Sequence, residues 1–243
     1  RGRISMKTIH IVHLYPKEMN IYGDNGNLLV LKKRLEWRGY PVVVHRVGVG
    51  DSFPKEVHLV LGGGGQDKGQ SDIAGDLGKK ATQLKSYADQ GVPMLMICGM
   101  YQMFGHYFKT AEGEKIQGIG ILDIHTVAGT SRIIGNIMVE ADELGKLIGY
   151  ENHSGRTYLG KTVKPIGATK IGQGNNAEDN TEGAVYNNVY GSYLHGPILA
   201  KSSKFADFLL RKALNHAGVE PELEPLDDSL EYLSASVAER RSR

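Results

Sequence analysis

MLMICGMYQMFG, residues 94–105, holds the only cysteine of the 243-residue chain. Pro93 to Ile97 reads as a short buried strand, because an almost wholly apolar run follows the turn signal Gly91-Val92. Gly99 lets the chain reverse at once, and Tyr101 to Phe108 then reads as a helix. A strand running straight into a helix presents its apex side chain at the carboxyl edge of a parallel sheet. The first free N–H groups of the helix point the same way, where they lower a thiol pKa and hold negative charge. Cys98 is that apex residue. A buried, inert thiol is the competing reading, so the rest of the chain must decide between them.

Working outward, the same alternation recurs. Thr8 to Leu14 is strand-like, the polar loop NIYGDNGN (20–27) follows, and Leu28, Leu31 and Leu35 share one face of a helix over 28–37 that Gly39 ends. Pro41 to Val47 reads as a strand, and EVHLVLGGGG (56–65) as a buried strand entering four glycines. A polar stretch with Asp67 and Asp72 leads to a helix over 76–90, whose Leu77, Leu84 and Tyr87 turn inward. Such repeated strand–helix units predict an α/β fold: a mostly parallel sheet with helices on both faces.

Beyond Phe108 the runs ILDIHTV, RIIGNIMVE and KPIGATKI are short and β-prone, and are expected to extend that sheet and its rim. GQGNNAEDNTEG (172–183) is a long loop, AVYNNVYGSYLHG (184–196) returns to a strand, 202–216 closes with a helix, and PELEPLDDS is a surface connection. No repeat or linker divides the chain, so one domain over 6–243 is expected, with the opening RGRIS (1–5) an expression remnant outside it.

Composition narrows the function classes. The chain is 40% apolar with a net charge of +2, its charges are mixed, and it therefore implies neither a nucleic-acid nor a membrane partner. No apolar run approaches the ~20 residues of a bilayer span and no secretory leader is visible, so a soluble protein of a reducing cytoplasm is expected. One cysteine excludes an internal disulfide framework and a cysteine-rich zinc site, and the histidines lack compact ligand spacing, so no metal is expected.

A cysteine nucleophile needs a proton acceptor, usually histidine. Of the nine histidines, His10, His13, His45 and His58 lie in or beside apolar strands and His106 lies too far along the elbow helix. His195 ends the strand-like run 189–194 and is released by Gly196 and Pro197, which places it at the carboxyl edge of the sheet, and it is the expected base. His153, in GYENHSGRTY, is expected to support a loop or the site's surroundings. Gly99 can supply one backbone donor to an oxyanion and the Gly62–Gly65 run another. That run lacks the Gly-Lys-Ser/Thr ending of a P-loop and the spacing of a dinucleotide loop, so no cofactor is expected in this chain.

The glycine run at 62–65, the MLMICGMYQMFG elbow and YLHG at 193–196, in that order, resemble a class I glutamine amidotransferase domain of the cobyric-acid-synthase-like branch. Within it the chain is more similar still to the stand-alone glutaminase subunits of bacterial lipid II isoglutaminyl synthases, through NIYGDNGN, GYENHSGRTY, GQGNNAEDNTEG and GSYLHGPIL. The resemblance implies glutamine hydrolysis by Cys98 and His195, an oxyanion held by Gly64 and Gly99, and substrate carboxylate recognised by Arg132. It also implies a Mur-ligase-like partner that carries ATP and Mg, binds lipid II and amidates the D-glutamate α-carboxylate at the inner membrane face. The glutamate that many of these enzymes carry two residues after the histidine is Pro197 here. Asp24, Glu151 or an aspartate of the partner are the alternatives for orienting His195. Ammonia supply to another amidation such as that of cobyrinate, or a non-catalytic ligase-stabilising scaffold, are the competing functions.

Overall fold

The computed structural model describes residues 6–21, 23–221 and 223–240; RGRIS lies outside them. The first sheet is built from β1 (Ile9–Leu14), β2 (Val42–Val47), β3 (Leu59–Gly62), β4 (Met94–Ile97), β11 (Ala184–Tyr186) and β12 (Val189–Ser192), in the order β11-β12-β4-β3-β1-β2. All neighbours are parallel except β11 against β12. Strands β3, β4 and β12 are buried along their whole length, which is why their sequences LVLG, MLMI and VYGS show no polar alternation. In edge strand β2 only Val47 is fully buried.

Helices α1 (Asn25–Trp37) and α4 (Ser203–His216) pack together, and α2 (Asp67–Asp89) packs with the short α3 (Gly99–Met103). Helix α2 begins at Asp67, well before the expected start near residue 76. Helix α3 ends at Met103 rather than Phe108, because the chain crosses tightly to other structure there: a Cβ on Gly105 would stand 2.6 Å from Ile124 Cγ1, and His106 N–H donates to the Ile124 carbonyl. His106 therefore lies past the helix, paired with Asp123 at 2.9 Å.

The β-prone runs after Phe108 add no strand to the first sheet, with which, among the described residues, they pair only through the bridge of Lys164 to Val185 of β11. They form a second one from β5 (Tyr107–Lys109), β6 (Lys115–Gln117), β7 (Ile124–Ala141), β8 (Gly145–Leu159), β9 (Gly167–Ile171) and β10 (Thr181–Glu182). Its spine is the long antiparallel β7–β8 hairpin, broken once between Ala128 and Ile133. Each strand can hide its apolar side chains against the same core without joining the first sheet's ladder; Ile137, Val139 and Leu147 share one apolar cluster with Ile11, Leu61 and Met96. The C-terminal helix α5 (Ser229–Glu239) buries no residue fully, and is moored at its start by Asp228, which with Asp207 pairs the buried Arg34 of α1.

The parallel register sets the ends of β1, β3, β4 and β12 side by side: Leu14 faces Gly62, Gly62 faces Met96, and Ile97 faces Ser192. Everything that follows these strands, Asp24, the glycine run, Cys98 and His195, emerges at one edge. Cys98 itself adopts φ 50° and ψ −104°, a backbone state that a side chain disfavours. Gly99 must lack a side chain, since a Cβ there would meet Gly65 N and Met19 Cε at 2.8 Å each. The strain yields a stability prediction. Cys98→Gly should equal or exceed Cys98→Ala in thermal unfolding, whereas Gly at an unstrained helix position costs about 0.5–1 kcal/mol relative to Ala; a Gly variant less stable by that amount would show that the elbow carries no strain.

Candidate active site

Cys98, His195 and Asp24 come together from three parts of the chain. Strand β4 delivers Cys98, whose N–H donates to the Ser192 carbonyl of neighbouring β12 at 2.8 Å. His195 follows β12 and is fixed by a two-way backbone bridge to Tyr150 of β8, with N–H···O distances of 2.8 and 3.0 Å. Its Nδ1 lies 2.9 Å from Asp24 Oδ1, across 171 residues of sequence. Asp24 stands at the N-cap position of α1 without a side-chain capping bond and is 4% exposed. Of the carboxylates that the sequence left open, Asp24 is the one within hydrogen-bond distance of His195 in this chain. Glu151 is turned elsewhere: its carboxylate accepts the N–H groups of Gln173 and Gly174 at 3.0–3.2 Å, closing a turn of the long loop.

Gly64 occupies the centre of this group. A Cβ on it would stand 3.1 Å from Asp24 Oδ2, 3.1 Å from His195 Cε1 and 3.3 Å from Cys98 Cβ. Its N–H donates to Asp24 Oδ2 at 2.6 Å. The donor expected to face an oxyanion is thus engaged by the acid, which is free to accept it because its other oxygen serves His195. Next along the run, Gly65 lines the cleft beside Cys98, and no described residue accepts its N–H. Gly99 is the first residue of α3, two residues before the helix start expected at Tyr101.

The electrostatics follow from this geometry. Burial by itself lowers the His195 pKa, but the Asp24 hydrogen bond and the hydrogen bond and charge of Cys98 outweigh it and raise the value to about 10. The arrangement favours an imidazolium held between a carboxylate and the sulfur. With Nδ1 facing Asp24, Nε2 is the ring atom left to exchange a proton at Cys98.

These groups open onto a cleft of about 340 Å³. Arg132 lines it from β7, its guanidinium donating to Asn152 Oδ1 at 2.8 and 3.0 Å. Gln70 of α2, Gln102 of α3, Asn152 and His153 also line it, and of these only His153 had been singled out in the sequence. Gln102 had a usable signal: it lies four residues after Cys98, one helical turn along the same face. Gln70 Nε2 donates to Gln102 Oε1 at 2.8 Å and Gln102 Nε2 donates to the Tyr193 hydroxyl at 2.9 Å, so a buried polar layer ties the elbow to the second sheet. The remaining histidines stay outside this cleft. His10 and His45 stack on each other, and His13 is buried in β1 with its pKa lowered to about 4, chiefly by burial. Among the described residues no group of three or more His, Cys, Asp or Glu could hold a metal ion, and no helix is long and apolar enough to cross a membrane.

Comparison with known proteins follows the same lines. A Streptococcus pneumoniae (strain ATCC BAA-255 / R6) protein described as lipid II isoglutaminyl synthase (glutamine-hydrolyzing) subunit GatD is 40% identical to this chain. The match covers 96% of this chain and 90% of that protein. The protein of the same description from Staphylococcus aureus (strain N315) is 37% identical, over 96% of this chain and 95% of its own length. Among solved structures, one chain of PurLQS from Thermotoga maritima shares the fold with a TM-score of 0.60 at 18% identity, over 87% of this chain and 99% of that one. The family model for the CobB/CobQ-like glutamine amidotransferase domain matches residues 10–203, and this chain belongs to that family.

Proposed function

We propose that this chain is the glutaminase component of a lipid II isoglutaminyl synthase, with residues 6–243 acting as one unit. The observation that carries the reading is the buried line Asp24–His195–Cys98 at the floor of a cleft walled by Arg132. The full-length likeness to two proteins named as glutamine-hydrolysing subunits supports the choice of substrate.

In this reading the Cys98 thiolate attacks the carboxamide carbon of glutamine. A C–S bond forms and the carbonyl electron pair moves to oxygen, held by Gly99 N–H and a donor of the glycine run. Gly65 N–H serves in the arrangement described above, and Gly64 N–H only after leaving Asp24. Collapse of the tetrahedral adduct breaks the C–N bond, and His195 gives its proton to the departing ammonia. Water then attacks the thioester as His195 takes its proton, releasing glutamate and restoring the thiolate. Arg132 binds the substrate α-carboxylate, for which a planar guanidinium is suited. Asp24 keeps His195 turned with Nε2 toward the sulfur, as a carboxylate does in related triads.

The ammonia passes to a Mur-ligase-like subunit, which holds ATP and Mg and binds most of lipid II. That subunit activates the D-glutamate α-carboxylate for amidation. The chain works in the cytoplasm and reaches the inner membrane face through that partner.

Ammonia release from glutamine, measured with and without the ligase subunit, tests this reading. Cys98→Ala should lose on the order of 10⁴-fold or more in kcat; release equal to wild type would remove the nucleophile. Gly64→Ala should fold, at a cost of about 1–3 kcal/mol, yet lose most activity, because its methyl group crowds all three catalytic side chains. Full activity in that variant would separate Gly64 from the site. The raised His195 pKa also fixes a sign. The stability gained by protonating His195 in the fold is fully present below its unfolded value near 6.5 and is lost as pH rises through about 10. Thermal unfolding of wild type should therefore fall toward that of His195→Gln over this range, and a constant difference between the two would contradict it.

A further inference from the structure

His153 is fastened on two sides and unpaired on a third. Its ring lies flat on the Tyr193 ring, with centroids 3.6 Å apart and planes 5° from parallel. Nδ1 lies 2.8 Å from the Gly155 carbonyl, which can only accept, so this nitrogen carries the proton. Nε2 is then an acceptor, and it is buried without a hydrogen-bond partner among the described residues. His153 nevertheless lines the cleft. Burial also keeps it uncharged, lowering its pKa to about 3. An unmet acceptor inside a protein is costly unless a ligand supplies the donor.

Gln66, Gln70 and Ser154 also carry acceptor oxygens, but among the described residues lining the cleft only His153 has a buried polar side-chain atom without a hydrogen-bond partner. Lys68 and Arg132 are cations, and no carboxylate lines the cleft among the described residues. Asn152 Oδ1 is taken by Arg132, and Gln102 Oε1 by Gln70. Glutamine presents three polar ends: a carboxamide for Cys98, a carboxylate for Arg132 and an α-ammonium group, which needs an acceptor. Resting on the glutamine reading above, we propose that His153 Nε2 accepts a hydrogen bond from the substrate's α-ammonium group, making His153 a specificity residue for α-amino acid amides. A neutral acceptor suits a cleft that already holds cations, since it binds the ammonium without drawing Arg132 away from the carboxylate.

The test compares L-glutamine with glutaramate, which keeps the carboxamide and carboxylate but lacks the ammonium. Affinities are measured by calorimetry on the full chain carrying Cys98→Ala, which prevents turnover. That protein should bind L-glutamine about 10- to 100-fold more tightly than glutaramate. Adding His153→Phe, which keeps a flat ring against Tyr193, should remove that preference by weakening L-glutamine alone. Equal affinities before His153 is changed would overturn the proposal without any His153 variant. So would a preference that survives His153→Phe, or an equal weakening of both ligands, which marks a packing effect. Failure of the Cys98→Ala chain to bind either ligand would instead overturn the glutamine reading itself.

Discussion

The hydrogen bond between Asp24 and His195 is the constraint on which the site depends. At 2.9 Å, with both side chains almost wholly buried, it turns Nδ1 to the acid and Nε2 away from it and, together with Cys98, raises the imidazole pKa to about 10. Asp24 does this while its other oxygen takes the Gly64 N–H at 2.6 Å. One carboxylate therefore bonds both the base and the glycine run. Any shift of that run must first break a short, buried, charge-assisted hydrogen bond. The acid ties the arrangement of oxyanion donors to the state of the histidine.

The two sheets share the work of building this contact. The parallel sheet supplies the thiol, the glycine run and the loop with Asp24, because β4, β3 and β1 are neighbours and end at one edge. The second sheet supplies the opposing wall, Arg132, Asn152 and His153, and clamps the His195 backbone through Tyr150. Between them runs the polar layer of Gln70, Gln102, Tyr193 and Thr157, each bonded to the next. Satisfied networks of this kind resist displacement, which suits a site whose reacting atoms need a fixed separation.

Much of the first sheet was legible because its central strands are short apolar runs that end in glycine or in a polar residue of chemical use. Cys98 and His195 could be paired from such endings alone. Asp24 could not, since it lies in a polar loop 171 residues from its partner, and only the strand order brings them together. The second sheet was read as strands but assigned to the wrong ladder, because a period-two pattern reports burial on one face and is silent about which neighbour pairs with it. The early end of α3 was likewise hidden. Its cause is the close approach of Gly105 to Ile124, a contact between segments with no local signature. Gly64 was recognised as a glycine of the site, but its place between three side chains needed the fold.

The most direct test of the central claim is the titration of His195 itself, followed by NMR of histidine-labelled protein in wild type and Asp24→Asn. The account predicts that wild-type His195 stays protonated well above neutral pH and titrates near 10, and that Asp24→Asn lowers this toward or below the ordinary value of 6.5. A wild-type His195 that titrates near 6.5, or one whose titration is unmoved by Asp24→Asn, would contradict it.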